Sequence, residues 1–90
     1  AWTARQVIHH VADAAAVLSE RVRLILTEER PAIKTFEEEE WVKLEDEMTA
    51  PPEESLAIVE GTLGRLVRLL RARPREDYAR EMRHPQQGLV

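Results

Sequence analysis

The sequence contains no cysteine. That excludes a disulfide framework, a thiolate metal site and a cysteine nucleophile, and it agrees with a cytoplasmic location. Aromatic residues make up only 4% against 43% hydrophobic residues overall, so the apolar content is aliphatic and suits packed helices better than a sheet. No apolar run approaches the roughly 18 residues of a membrane span, and the first residues lack the pattern of a signal peptide. Neither a membrane nor a secretory route is expected.

The formal net charge of −4 argues against general affinity for nucleic acid. Acidic residues crowd Glu37 to Glu54 and arginines crowd Arg65 to Arg83, an asymmetry that either guides partner contacts or reflects solvated faces. Ninety residues form one small domain, 1–90, near the size at which a single core is marginal. The start at Ala1, directly before a helix cap, suggests a piece of a longer chain.

Thr3 followed three residues later by Gln6 is a capping box, with Trp2 just outside the helix that it opens. The helix is expected over about residues 4–29, ended by Pro31. At roughly 100° per residue, Ile8, Val11, Ala15, Leu18, Val22 and Ile25 form a seam, flanked by Val7, His10, Ala14, Val17, Arg21 and Leu24. His10 therefore belongs to a broad apolar arc, whereas His9 falls on the polar side with Arg5, Ala16 and Glu20. If one histidine does chemistry, it is His10.

A structureless connection from 31 to 50 would be unusually long. A short helix is expected over about 37–44, anchored by Phe36, Trp41 and Leu44, with Glu37 to Glu40 as carboxylates that suit its positive end. Pro51 and Pro52 open a second long helix, about 51–72, with the seam Leu56, Val59, Leu63, Leu66 and Leu70. Gly61 and Gly64 interrupt it at a cost that close approach of a neighbouring helix would explain. Arg65, Arg68, Arg71 and Arg75 lie off the seam and read as a solvent face, since no aromatics interleave with them as in a single-strand binder. A further short helix is expected over about 74–80 with Tyr78 packing inward, then a turn from His84 to Gly88. Ser19 and Ser55 have no base that the sequence positions beside them.

The run Trp2-Thr3-Ala4-Arg5-Gln6-Val7-Ile8-His9-His10-Val11-Ala12-Asp13 resembles the signature of the DinB-like superfamily, in particular its YfiT-like branch of metal-dependent hydrolases and thiol-dependent S-transferases. The run Leu26 to Lys34 with Phe36 and Trp41, and His84-Pro85 followed by Gly88, are similar to the same branch in order and spacing. The resemblance implies a four-helix bundle that binds a divalent metal, zinc or nickel, through three histidines, with a small-molecule substrate and room for a low-molecular-weight thiol. By position the first ligand is His10. The other two belong to the family's last helix, which this chain does not reach, and His84 sits in the family's turn. Ala14 and Ala15 stand where the family usually has serine and histidine. Asp13, one turn on from His10, could orient a ligand or face solvent. Arg21 could meet an anionic substrate group or lie along the bundle surface.

The expected fold is all-α: two long antiparallel helices with a partly helical connection, forming part of a DinB-like four-helix bundle completed by dimerisation. Two functions follow as alternatives. One is a piece of a metal-dependent hydrolase or S-transferase that is inactive as this chain; the other is a non-catalytic helical homodimer.

Overall fold

The computed structural model describes residues 1–81, 83–84 and 88–89. The first helix, α1 (Ala4–Thr27), starts where the capping box places it: Gln6 N–H donates to Thr3 Oγ1 at 3.1 Å, and Thr3 N–H donates to Gln6 Oε1 at 2.8 Å. It stops two residues short of the expected 29, after the Glu28 N–H closes on the Leu24 carbonyl, and the backbone turns at Arg30 with φ 48°. Pro31 and Ile33 then bury themselves and start the chain back along the helix.

The connection holds two short helices rather than one, α2 (Glu38–Trp41) and α3 (Glu45–Thr49). The break falls where the Val42 carbonyl is taken by the Gln6 side chain at 2.9 Å and Leu44 is extended. Val42 is the buried anchor, while the expected anchors Trp41 and Leu44 remain exposed. The second long helix, α4 (Pro52–Arg71), has Pro52, Glu53 and Glu54 in its first turn and Arg68 and Arg71 in its last. That charge order complements its dipole. A 3-10 turn, Arg75–Ala79, follows. Tyr78 does not pack inward; it is exposed, and its hydroxyl donates to the Leu70 carbonyl at 2.6 Å, satisfying one group at the end of α4. Arg80 does the same for α1, donating to the Ile25 and Glu28 carbonyls. A two-residue antiparallel ladder, β1 (Arg83–His84) with β2 (Gly88–Leu89), ends the described chain; residues 85–87 of the expected turn lie outside the described residues.

The all-α bundle architecture holds, but the two long helices are parallel, not antiparallel. The hydrogen bonds and ring contacts show why. Arg21 donates to the Lys34 carbonyl, His10 stacks on Phe36, Gln6 donates to Val42 and Arg5 to Thr49. As the connection advances, its partners move backwards along α1, so α4 begins beside the start of α1 and runs the same way. Ser55 accordingly meets His9, while Leu70 lies beside Val22 and Leu26. Short loops make antiparallel neighbours and long crossovers make parallel ones; residues 28–51 are a crossover.

Among the described residues the buried apolar side chains are few: Ala12, Ala15, Pro31, Ile33, Val42 and Leu66. The expected seams are only half used. Val7, Val11 and Leu18 on α1, and Leu56, Leu63 and Val67 on α4, are each more than 40% exposed. At roughly 100° per residue, each trio forms a narrow stripe, and for parallel helices the two stripes fall on one side of the α1–α4 contact. The connection covers the other side of α1. No described helix is long and apolar enough to cross a membrane.

Among the described residues Gly61 and Gly64 mark no close helix neighbour, since a Cβ at either would meet nothing there within 4 Å. Gly61→Ala and Gly64→Ala should therefore each raise the stability of this chain by about 1 kcal/mol, read as a higher midpoint in urea. A loss at either position would reveal a neighbour pressed against that face in solution.

Candidate functional site

Consecutive residues on a helix point about 100° apart, so His9 and His10 enter different surroundings. His9 is 4% exposed. Its Nε2 lies 3.0 Å from the Ala50 carbonyl, which can only accept, so Nε2 carries the hydrogen. Its Nδ1 then accepts from the Ser55 hydroxyl at 2.6 Å. Both nitrogens are used, and the ring joins α1, the end of the connection and the first turns of α4. The polar-side assignment of His9 is thus wrong. The helix packs over Ala15 of the expected seam and over Ala12, one step around from it; their short side chains let α4 approach and carry His9 into the contact. Ser55 does have a base beside it, but both groups are buried in the helix contact, which closes them to substrate.

His10 lies on the opposite shoulder of α1. Trp2 meets its ring edge-on at 4.9 Å, and Phe36 stacks on it at 5.9 Å with an interplanar angle of 7°. Its side chain is 22% exposed, and Nε2 lies 3.5 Å from Glu38 Oε2. The Nδ1 atom is buried with no hydrogen-bond partner. Ligating imidazoles commonly present one nitrogen to the metal and the other to a carboxylate, so His10 fits a ligand position. The rest of a site is not here: among the described residues no group of three or more histidine, aspartate or glutamate side chains could hold a metal ion. For His84 the description extends only to its backbone, which pairs with Gly88.

Asp13, one turn beyond His10, is half-buried against α3 rather than solvent-facing. Its neighbour there is Glu47, 4% exposed in a short helix that otherwise points its acids outward. Burial pushes the Glu47 carboxyl up to about 7, and the Asp13 carboxyl and Asp46 add to the effect while His9 opposes it. The Asp13 carboxyl is also raised, chiefly by burial. Asp13 Oδ2 and Glu47 Oε1 are, with His10 Nδ1, the buried side-chain atoms left without a hydrogen-bond partner among the described residues. Glu47 gave no signal in the sequence, being one acid in a run of many.

Arg21 ties the connection to α1 by donating to the Lys34 carbonyl at 3.1 Å. Together with Val17, Glu20, Ile33, Lys34, Thr35, Phe36 and Trp41 it lines a cleft of about 170 Å³. Phe36 is a wall of this cleft and also the ring that stacks on His10.

The family model described as the DinB superfamily matches residues 1–90. The chain belongs to the DinB superfamily. It is 43% identical over 84 residues to YfiT of Bacillus subtilis, whose name carries metal-dependent hydrolase as a provisional assignment; the match covers 93% of this chain and 47% of that protein. A similarly named protein of Oceanobacillus iheyensis is 42% identical over 89 residues, covering 99% of this chain and 51% of the relative. The solved structure of Bacillus subtilis YfiT, described in its title as a four-helix bundle of unusual topology, superimposes with a TM-score of 0.94 at 40% identity, covering 99% of this chain and 51% of that one. This DinB-superfamily chain thus spans about half the length of the relatives it matches.

The raised carboxyls give a signed pH dependence. A folded pKa above the unfolded one stabilises at low pH, and the contribution is lost as pH rises from about 4.5 towards about 7. Denaturation midpoints of the chain should fall across that window. Glu47→Gln should flatten the fall and leave the variant more stable than the parent at about pH 8; unchanged slopes would show that Glu47 is not buried as described.

Proposed function

We propose that this chain is the part of a metal-dependent hydrolase or thiol S-transferase that supplies one of three histidine ligands, His10, and that it is inactive as 90 residues alone. The observation that supports this is the His10 ring itself: held between Trp2 and Phe36, with a carboxylate near one nitrogen and the other buried without a partner. The metal-dependent names of the relatives agree with it. A zinc or nickel ion in such a site supplies Lewis acidity and lowers the pKa of a bound nucleophile, a thiol included. The residues of this chain do the holding. Trp2 and Phe36 fix the ring plane, Glu38 faces Nε2, and His9 pins the start of α1 so that His10 and Asp13 keep their places. The donors described here do not complete a site, so no chemical step is assigned to the chain alone.

A second reading rests on the open stripes. Val7, Val11, Leu18, Leu56, Leu63 and Val67 form a face that two further helices would cover, and for the chain by itself a second copy would supply them. The readings are compatible, because a part of a bundle can pair to cover what the rest of the protein otherwise covers. A monomeric mass in light scattering together with full helicity would rule the dimer out.

Titration calorimetry with zinc tests the first reading. The 90-residue chain should bind no zinc tightly. The longer protein that carries it should bind one equivalent, and His10→Ala there should weaken binding on the order of a hundredfold or more. Tight binding by the chain alone, or indifference to His10→Ala, would contradict the proposal.

A further inference from the structure

The cleft beside His10 has an uneven chemistry. Its floor is apolar, formed by Val17 and Ile33 with the rings of Phe36 and Trp41, which meet edge-to-face at 4.8 Å and 75°. Its rim carries two cations, Arg21 and Lys34, against one acid, Glu20. Among the described residues neither cation makes an ion pair, and the one hydrogen bond of the Arg21 guanidinium, to the Lys34 carbonyl, leaves the charge uncompensated. The volume of about 170 Å³ is below the roughly 300 Å³ of a drug-sized pocket, so the occupant is a fragment-sized molecule or the end of a larger one.

From this combination we infer that the cleft between α1 and the returning connection is a binding subsite for a small carboxylate with a planar apolar body, the carboxylate at Arg21 and Lys34 and the body against Phe36 and Trp41. Aromatic walls accept a flat ring in stacked or edge-on contact. A guanidinium pairs a carboxylate through two parallel N–H groups, which an ammonium cannot do. Phe36 lines the cleft and also stacks on the His10 ring, so a molecule held there lies one aromatic ring away from the imidazole. That the occupant is the substrate rests on the reading of His10 as a metal ligand; that the cleft binds it does not.

The test uses the longer protein, labelled with 15N and free of metal, with benzoate as the probe and benzyl alcohol as its uncharged counterpart. Benzoate should give saturable amide shifts at Val17, Arg21, Ile33, Phe36 and Trp41, with benzyl alcohol at least about tenfold weaker. Arg21→Gln keeps a donor for the Lys34 carbonyl while removing the charge, and it should weaken benzoate about tenfold without changing the rest of the spectrum. His10→Phe keeps a ring against Phe36 while removing both imidazole nitrogens, so benzoate binding should persist where zinc binding is lost, which separates failure of this inference from failure of the metal reading. Absence of saturable shifts, equal binding of the alcohol, or benzoate binding unaffected by Arg21→Gln would overturn the inference. Should Arg21→Gln disturb the fold, Lys34→Gln on the exposed rim should weaken benzoate alone, and no effect there would overturn it as well.

Discussion

The arrangement depends on one buried imidazole. His9 receives a hydrogen bond from Ser55 and gives one to the Ala50 carbonyl, so a single side chain joins α1 to the end of the connection and the start of α4, 41 and 46 residues further on. Removing either nitrogen's partner would leave a buried polar atom unsatisfied, at a cost of about 1–3 kcal/mol. The apolar core around it consists of two alanines and a few larger residues, so the histidine carries a large share of what positions α4 against α1. Its tautomer is dictated by the carbonyl, and the tautomer in turn dictates that Ser55 donates.

That pin makes the crossover consequential. With α4 held at the start of α1, the connection must run the length of α1 before the second long helix begins, and in doing so it places Phe36, Glu38 and Glu47 beside His10 and Asp13. The same geometry turns Val7, Val11 and Leu18 of α1 and Leu56, Leu63 and Val67 of α4 to one side. The incomplete donor set and the uncovered face agree with each other. The chain spans about half the length of the DinB-superfamily relatives it matches.

Much of the fold was legible locally. The Thr3–Gln6 box, Pro31, the Pro51-Pro52 start and the alternating leucines of α4 are signals that span one or two helical turns, and the structure follows them to within about two residues. What was not legible is set by partners distant in sequence. The wheel of α1 located its apolar arc but could not show that α4 would pack over Ala12 and Ala15, because alanine contributes little to periodicity and much to close approach. The burial of His9 depends on that packing and on its bond to Ser55, 46 residues away, neither of which leaves a mark in the local pattern. The parallel course of the helices was likewise hidden, since nothing in residues 28–51 marks them as a return path until their hydrogen bonds to α1 are known. Glu47 differs from its acidic neighbours only by facing inward, which no pattern in an all-acidic run reveals.

Two neighbouring histidines thus differ in their surroundings: His9 has both nitrogens bonded within the frame, and His10 keeps a buried Nδ1 with no partner among the described residues. Imidazole 15N shifts in a full-length DinB-superfamily protein built to carry this segment, recorded with and without zinc, test the proposed role of His10 most directly. His9 should show the Nε2–H tautomer in both states, while the His10 nitrogens should shift strongly on adding zinc. Metal-dependent shifts at His9, or none at His10, would contradict it.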